Sequence, residues 1–370
     1  MQQTFYAVVP AGGAGTRLWP LSRRSAPKFL HDLTGSGRTL VQATWDRLAP
    51  LTDAQLVVTG TAHAAAVAEQ LPDLPADDLL AEPSPRDSMA AIGLAAAVLE
   101  VRHPDQDVVI GSFAADHVIT DDEQFTRAVA TAVQLARADY VATIGIEPTG
   151  PATAFGYIHL GPAVPGIDGA HQVLGFTEKP DADTAAEYLA TGAYRWNAGM
   201  FVVRTRVLLA HLDRLQPALA AGLRTIAAAW DGPERDQVLA QEWPALTRIA
   251  IDHAIAEPVA AAGGVAVVPG QFGWDDVGDW ASLAGLLPAA HGQGPDGARV
   301  LGEQRLAQVT GSPGSLVVPG SGRRVVLLHL PDAVVVDTPD ALLVTRIDQA
   351  QRVKDVVSAL GAEPWGEQLL

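Results

Sequence analysis

A glycine-rich turn near the start of the chain carries residues suited to phosphate binding. The apolar run Phe5 to Val9 leads into Gly12-Gly13-Ala14-Gly15-Thr16-Arg17, and Lys28 follows. Glycines let the backbone turn tightly and bring N–H groups against phosphate oxygens. Arg17 and Lys28 add a guanidinium fork and a compact charge. An ordinary turn remains the alternative, because no Gly-Lys-Ser/Thr follows and Leu18 stands where a dinucleotide fingerprint has its third glycine.

Two acidic segments could hold a divalent cation. Asp116 follows the predicted strand Asp107 to Ile110, at a position where α/β sheets bind ligands. Asp275, Asp276 and Asp279 lie among aromatic residues much later in the chain. Mg²⁺ commonly takes one or two carboxylates together with substrate phosphates. The alternatives are a turn-capping role for Asp116 and a solvated acidic turn for the later segment.

A third set of polar residues could bind a ligand near a predicted strand end. Glu178 and Lys179 are adjacent at a predicted strand end, and Asn197 can both donate to and accept from hydroxyls. Neighbouring strand residues point to opposite faces, so Glu178 and Lys179 can meet one ligand only if the strand has ended. A surface ion pair is the alternative.

The segment Gly12 to Ser22 (GGAGTRLWPLS), followed by Pro27-Lys28, resembles the signature of the sugar-1-phosphate nucleotidyltransferases. Within them it is most similar to the mannose-1-phosphate guanylyltransferases. Asp279 stands where that family has serine, and we interpret its extra charge as facing solvent. Further segments that resemble the family are EPSPRDS (82–88), AADH (114–117), FGYI (155–158), FTEKP (176–180), WNAGMF (196–201), IDHA (251–254), GWDDVGDW (273–280) and the stretch 335–354.

The resemblance implies roles for individual residues. Asp116 and Asp276 would bind Mg²⁺, and Glu82 with Arg86 would lie by the base and triphosphate, where a carboxylate could accept the N–H donors of guanine. The catalytic residues implied are Arg17, Lys28, Asp116, Lys179 and Asp276. The substrate-binding residues implied are Gly12, Gly13, Gly15, Thr16, Glu82, Arg86, Gly156, Glu178, Asn197, Gly199 and Asp252.

Strands and helices alternate through the first two-thirds of the chain. This alternation predicts an α/β fold with a mostly parallel sheet covered by helices. One predicted helix, Asp121 to Arg137, has a capping box formed by Thr120 and Glu123 and a stripe of apolar residues every four positions. The resemblance implies a Rossmann-like nucleotide-diphospho-sugar transferase domain.

The sequence pattern changes near Leu287. The Gly- and Pro-rich residues 287–298 predict a linker, and short β-branched runs follow it. We predict a catalytic domain over 1–286 and a small β-rich domain over 299–370, closed by a helix from Asp348 to Leu360. The resemblance implies a left-handed β-helix-like form for the second domain. The apolar face of its closing helix predicts a dimer surface, so we expect a homodimer.

Composition excludes several classes of protein. The 370 residues include no Cys, which removes disulfides, thiolate metal sites and Cys nucleophiles. A net charge of −17 excludes binding to nucleic acid or anionic membranes, which needs a basic footprint. The longest apolar run, Met89 to Leu99, is about half a membrane span, and the N-terminus shows no basic n-region. We expect a cytoplasmic enzyme.

The reaction that the family resemblance implies converts GTP and mannose 1-phosphate into GDP-mannose and diphosphate. Two alternatives stay open at this stage. One is a sugar nucleotidyltransferase for a different base or hexose. The other is a non-catalytic sugar-nucleotide sensor, although a sensor has no need of the loop, the two aspartates and Lys179 together.

Overall fold

The computed structural model describes residues 4–13, 15–288 and 297–370. The central residues of the predicted linker, 289–296, lie outside the described residues. The chain forms two compact units from interleaved segments. The first unit comprises the described parts of Met1–Gly12, Thr44–Ala115 and Ile119–Trp274, and the second those of Gly13–Ala43, Asp116–Val118 and Asp275–Leu370. The predicted boundaries at 286 and 299 remain a prediction.

The first unit contains a nine-stranded sheet with the order β3-β2-β1-β4-β8-β5-β9-β7-β6. Pairing is parallel from β3 to β4 and between β5 and β9, whereas β8 and β7 run antiparallel to their neighbours. Most strands therefore point the same way, which confirms the predicted α/β class. The strands are β1 (Phe5–Ala11), β2 (Ala54–Gly60), β3 (Leu79–Glu82), β4 (Val109–Ser112), β5 (Val141–Ile146), β6 (Gly156–Ala163), β7 (His171–Thr177), β8 (Tyr194–Arg204) and β9 (Val265–Gly270).

Helices cover this sheet and supply its core. Met89–Leu99, the longest apolar run of the sequence, is buried throughout in α3 because that helix packs against α6 and α7. In the part of the chain that the structure describes, no helix has the length and apolar character needed to cross a membrane. The helices up to residue 261 are α1 (Leu40–Leu48), α2 (Ala64–Gln70), α3 (Asp87–Arg102), α4 (Asp122–Arg137), α5 (Ala182–Thr191), α6 (Thr205–Leu215), α7 (Pro217–Ala229), α8 (Arg235–Glu242) and α9 (Glu257–Ala261).

The second unit combines the glycine-rich segment with the C-terminal strands. Its strands form a four-stranded sheet with the order β10-β12-β14-β15 and a separate parallel pair, β11 and β13. Leu18 and Trp19 share one buried cluster with Leu316, Val334 and Val336 of these strands. The elements are α10 (Trp280–Leu286), β10 (Arg299–Val300), β11 (Ala307–Thr310), β12 (Leu316–Pro319), β13 (Val325–Leu328), β14 (Ala333–Asp337), β15 (Leu342–Arg346) and α11 (Val353–Leu360).

Two local predictions were wrong in detail. The N-cap of α4 is Asp121, whose carboxylate accepts from the Gln124 N–H at 2.9 Å, so the predicted capping box at Thr120 and Glu123 does not form. Asp121 acts as the N-cap because its short side chain lets the carboxylate accept from the N–H three residues later. The closing segment begins as a 3₁₀ helix, Ile347–Arg352, and becomes α-helical only at Val353.

Candidate active site

Three charged residues of the second unit come together around a fourth, Lys28. Lys28 is the first residue of a short 3₁₀ helix, Lys28–Leu30, and only 9% of its surface is exposed. Its Nζ lies 2.9 Å from Asp116 Oδ2 and donates to the backbone carbonyl of Asp276 at 2.5 Å. The charges of Arg17, Lys28 and Asp116 all act on the Asp276 carboxyl. We call Arg17, Lys28, Asp116 and Asp276 the Lys28 cluster.

Gly15 is needed where the turn approaches Lys28. Its φ is +56°, in the left-handed region that favours glycine. A Cβ at this position would lie 2.9 Å from Lys28 Cγ and 3.0 Å from Ser22 Oγ. Gly13 also has a positive φ. Gly12, Gly13 and Thr16 are all exposed to solvent. Gly15 thus lets the turn pack directly against the Lys28 side chain.

The Lys28 cluster fits a divalent cation. Burial raises the pKa of Asp276, while the positive charges of Lys28 and Arg17 act to lower it. Asp116 and Asp276 face a single buried ammonium, and negative charge out of water is stabilised by a further cation. No group of three or more carboxylate or imidazole ligands occurs among the described residues. Two carboxylates suit Mg²⁺ when phosphate oxygens complete its coordination.

The neighbouring acidic residues of this segment have structural partners. Asp275 Oδ1 accepts from the Val277 N–H at 2.6 Å and from the Ser282 hydroxyl. Asp279 caps α10 by accepting from the N–H groups of Ala281 at 2.8 Å and Ser282 at 2.9 Å. Asp279 is 5% exposed, so the interpretation that its charge faces solvent was wrong. The helix end, which offers unpaired N–H groups, explains its burial.

A second group, which we call the Asn197 cluster, lies in the first unit and comprises Gly156, Glu178, Lys179, Asn197 and Asp252. Asn197 Nδ2 donates to Asp252 Oδ1 at 2.6 Å, and Asn197 Oδ1 accepts from the backbone N–H of residue 199 at 3.1 Å. β7 ends at residue 177, and Lys179 has φ +45°. The strand has therefore ended before Glu178, which is the condition that a shared ligand requires. Glu178 and Lys179 also form an ion pair in which the Lys179 side chain is 63% exposed, so the alternative of a surface ion pair is what the structure shows.

Electrostatics in the Asn197 cluster centre on Asp252. Burial raises the pKa of the Asp252 carboxyl, with the Asn197 amide opposing that rise and the Glu178 charge adding to it. Asp252 opens a single π-helical turn, Asp252–Ala256, a geometry frequent at functional sites. At Gly156 a Cβ would lie 2.5 Å from Glu178 Oε2, so the missing side chain makes room for that carboxylate.

Three of the remaining sequence-predicted residues, Gly199, Arg86 and Glu82, lie in the first unit. Gly199 has φ +66° and lies two residues beyond Asn197, whereas Phe201 belongs to the buried core. Arg86 donates from Nη2 to the Pro244 carbonyl at 2.7 Å. Glu82 ends β3, and its Oε1 is a buried atom with no hydrogen-bond partner among the described residues. Burial raises the pKa of Glu82 to about 7.

Sequence reasoning missed one residue beside the Lys28 cluster. Arg17 Nη1 donates to Gln351 Oε1 at 3.0 Å, and Gln351 belongs to the 3₁₀ helix that precedes α11. The available signal was the aspartate at 279 in place of serine, because Gln351 Nε2 donates to that carboxylate.

Comparison with protein families gives two matches. The nucleotidyl transferase family matches residues 6–291, and a family described as the MannoseP isomerase/GMP-like beta-helix domain matches residues 313–360. The second match agrees with the β-helix-like form expected for the C-terminal part.

Similar proteins extend over nearly the whole chain. The xanthan biosynthesis protein XanB of Xanthomonas campestris pv. campestris is 37% identical over 95% of this chain and 72% of its own length. The mannose-1-phosphate guanylyltransferase ManC of Salmonella typhimurium is also 37% identical, over 99% of this chain and 78% of its own. A crystal structure from Thermus thermophilus, described as a mannose-1-phosphate geranyltransferase, covers 97% of this chain and 99% of its own with a TM-score of 0.81 and 32% identity.

Proposed function

Because the chain belongs to the nucleotidyl transferase family, we propose that it transfers GMP from GTP to mannose 1-phosphate, forming GDP-mannose and diphosphate. Similarity over 99% of this chain to mannose-1-phosphate guanylyltransferases of Salmonella typhimurium and Escherichia coli supports this substrate pair. The observation that carries the chemistry is the Lys28 cluster, in which a buried ammonium contacts Asp116 and the Asp276 carbonyl behind a glycine-rich turn.

The proposed reaction is an in-line displacement at phosphorus. A phosphate oxygen of mannose 1-phosphate forms a bond to the α-phosphorus of GTP, and the bond from that phosphorus to the bridging oxygen of diphosphate breaks. No covalent enzyme intermediate is needed, so the absence of Cys from the sequence is no obstacle. Catalysis then consists of positioning the two phosphates and neutralising their charge.

Residues of the Lys28 cluster would handle the nucleotide phosphates. Arg17 and Lys28 would bind the diphosphate that leaves, together with N–H groups of Gly13, Gly15 and Thr16. Asp116 and Asp276 would hold Mg²⁺. When bound, Mg²⁺ supplies a Lewis acid that stabilises negative charge on phosphate oxygens.

Residues of the Asn197 cluster would bind the sugar phosphate. The carboxylates of Glu178 and Asp252 are acceptors for sugar hydroxyls, and Lys179 would bind the phosphate. Asn197 uses one N–H and one lone pair within the protein, and its second N–H and second lone pair remain for hydroxyls. The pairing of Lys179 with Glu178 keeps the ammonium beside the sugar-binding carboxylate.

Glu82 is the proposed reader of the base. Its buried Oε1 lacks a partner among the described residues, and the N1–H and N2–H₂ donors of guanine would supply one. Adenine lacks this arrangement of donors, so it would leave the carboxylate unpaired at a cost. Arg86, four residues later, would lie by the triphosphate.

We also propose a cytoplasmic homodimer. Leu342, Val344 and Val356 of the C-terminal part are exposed. Residues 297–370 carry seven Arg and Lys against eight Asp and Glu, in a chain with a net charge of −17. Association through this nearly neutral part would therefore avoid most of the repulsion between two acidic chains.

Release of diphosphate from a panel of nucleotides and sugars tests the function. We expect release only with GTP and mannose 1-phosphate, and only with Mg²⁺ present, when GTP, ATP, UTP and dTTP are combined with mannose, glucose and heptose 1-phosphates. Release with a different pair would contradict the proposed substrates. Binding of GDP-mannose without any release would support a sensor instead.

Two adjacent aspartates provide matched variants for the same assay. Asp276→Asn should abolish Mg²⁺-dependent release while the melting temperature is kept, because it removes a proposed ligand. Asp275→Asn should lower the melting temperature, because it weakens the turn made with Val277 and Ser282. Full release by Asp276→Asn would contradict the metal assignment.

A further inference from the structure

A glutamine from the C-terminal segment holds the guanidinium of the glycine-rich turn. Gln351 Oε1 accepts from Arg17 Nη1 at 3.0 Å, and Gln351 Nε2 donates to Asp279 Oδ2. The Asp279 Oδ1 atom is already committed to the first N–H groups of α10. We call this chain of hydrogen bonds from Asp279 through Gln351 to Arg17 the Gln351 bridge.

The orientation of the Gln351 amide is fixed by its two partners. A guanidinium can only donate, so it must face the amide oxygen, and an ionised carboxylate can only accept, so it must face the NH₂. Asp279 is in turn fixed because it is 5% exposed and caps α10. A rigid buried group thus determines where the amide oxygen lies, and that oxygen determines where Arg17 lies.

Attachment of the turn to the C-terminal segment does not depend on the bridge. Trp19 Nε1 donates to the Leu369 carbonyl at 2.8 Å, and Arg23 forms two hydrogen bonds of 2.6 Å to Asp340. These contacts fix the backbone that follows Arg17. The bridge acts instead on the tip of the Arg17 side chain, where rotamer freedom is greatest.

We propose that Gln351 is a positioning residue, which orients Arg17 toward the phosphates of GTP. This inference rests on the proposed function and deepens it, because it makes the C-terminal segment part of nucleotide binding. Holding the guanidinium in place before binding lowers the entropy lost when it meets phosphate. Asp279 is the anchor of the bridge and explains why a buried aspartate is useful at a position where serine can also cap a helix.

Removing the amide should weaken GTP binding selectively. We expect Gln351→Ala to raise KM for GTP by about 2-fold to 12-fold, the loss typical of a single intramolecular hydrogen bond, and to leave KM for mannose 1-phosphate unchanged. Gln349→Ala is the matched control, because this exposed glutamine lies in the same 3₁₀ helix. Equal changes in both KM values for Gln351→Ala would overturn the proposal.

A double-mutant cycle separates positioning from a merely structural role. In the Arg17→Ala background, Gln351→Ala should cause no further loss in kcat/KM for GTP, because the group that it positions is gone. If the fold-losses in kcat/KM of the two single variants multiplied in the double variant, Gln351 would act without Arg17, and the proposal would be overturned. Asp340→Ala, which releases Arg23 instead, should combine independently with Arg17→Ala.

An exchange of charge along the bridge provides a rescue. Gln351→Glu alone should raise KM for GTP, since it places a second carboxylate against Asp279. Adding Asp279→Asn should restore KM, because the asparagine oxygen still caps α10, its NH₂ donates to the introduced carboxylate, and that carboxylate accepts from Arg17. Failure of the double variant to recover, with a melting temperature like the wild type, would contradict the bridge.

The dissociation constant for GTP, measured by calorimetry on the same variants, distinguishes the two levels of failure. A wild-type chain that binds GTP but releases no diphosphate would contradict the proposed function, and the cycle in GTP affinity would still decide the bridge. A wild-type chain that releases diphosphate with an additive cycle would contradict the bridge alone. A chain that does not bind GTP would overturn both.

Discussion

Glu82 combines burial, charge and an unpaired oxygen in one side chain. Its Oε1 has no partner in the described part of the chain, and burial raises its pKa from 4.5 to about 7. A buried polar atom without a partner costs free energy unless a ligand satisfies it. At the residue scale, a guanine that donates to this carboxylate would recover the free energy that the unliganded fold has lost.

Glu82→Gln should make the protein more stable at high pH. The raised pKa means that the folded state holds a proton more tightly than the unfolded state, so the native stability falls as pH rises from 4.5 to about 7 and then levels off. The variant lacks this titration. Its excess free energy of unfolding over wild type should therefore grow across that interval, as measured by urea denaturation at several pH values.

The exposed Glu69→Gln provides the control for this titration. Its difference in free energy of unfolding from wild type should stay nearly constant over the same pH interval. A Glu82→Gln variant whose advantage shrinks as pH rises would contradict a raised pKa for Glu82.

At the scale of elements, β6 begins with a glycine because the Glu178 carboxylate occupies the space where a side chain would lie. A Cβ on Gly156 would lie 2.5 Å from Glu178 Oε2. Gly156→Ala must therefore displace the Glu178 carboxylate, and we expect kcat/KM for mannose 1-phosphate to fall by about 10-fold to 100-fold, as small misplacements of binding groups do. Steady-state kinetics with the sugar phosphate varied at saturating GTP measures this effect.

Gly175→Ala on the neighbouring β7 is the matched control for Gly156→Ala. No atom lies within 4 Å of a Cβ built at Gly175. Its kinetics should remain close to wild type, and an equal loss in both variants would mean that the Glu178 position is not the cause.

Local pattern predicted the elements better than their ends or their partners. The stripe Phe125, Val129 and Val133 marked α4 because helical periodicity is a local property, and all three residues are buried. The antiparallel strand β8, inserted between β4 and β5, had no local signal because pairing depends on distant segments. The contact between Asp279 and Gln351 was equally hidden, since the two residues are 72 positions apart.

In the candidate site, too, residue types were predictable from local sequence, whereas contacts between distant residues were not. All four members of the Lys28 cluster were named from the sequence. Arg17, Lys28 and Asp116 stand out by residue type near a glycine-rich turn or a strand end, whereas Asp276 was chosen over Asp275 only through the family resemblance. Sequence motifs did not predict that Lys28 would donate to the backbone of Asp276, since that contact joins residues 248 positions apart.

At the scale of the whole molecule, one buried cluster joins the glycine-rich segment to the C-terminal strands. Leu316→Ala, at a fully buried position of β12, should lower the free energy of unfolding by about 2–5 kcal/mol, the usual cost of a cavity in a packed core. Leu328→Ala, at an exposed position of β13, should change it by about 0.5 kcal/mol or less. Equal effects in chemical denaturation would contradict the shared core.

That shared core limits how the chain can be recombined with its relatives. The second unit takes residues from Gly13–Ala43 as well as from Asp275–Leu370, so a single cut in the sequence before the C-terminal strands separates Leu18 and Trp19 from the side chains that bury them. A chimera that received only the C-terminal strands of another protein would combine two unmatched parts of this buried cluster. The transplantable piece is discontinuous, and grafts between relatives should exchange the glycine-rich segment and the C-terminal strands together.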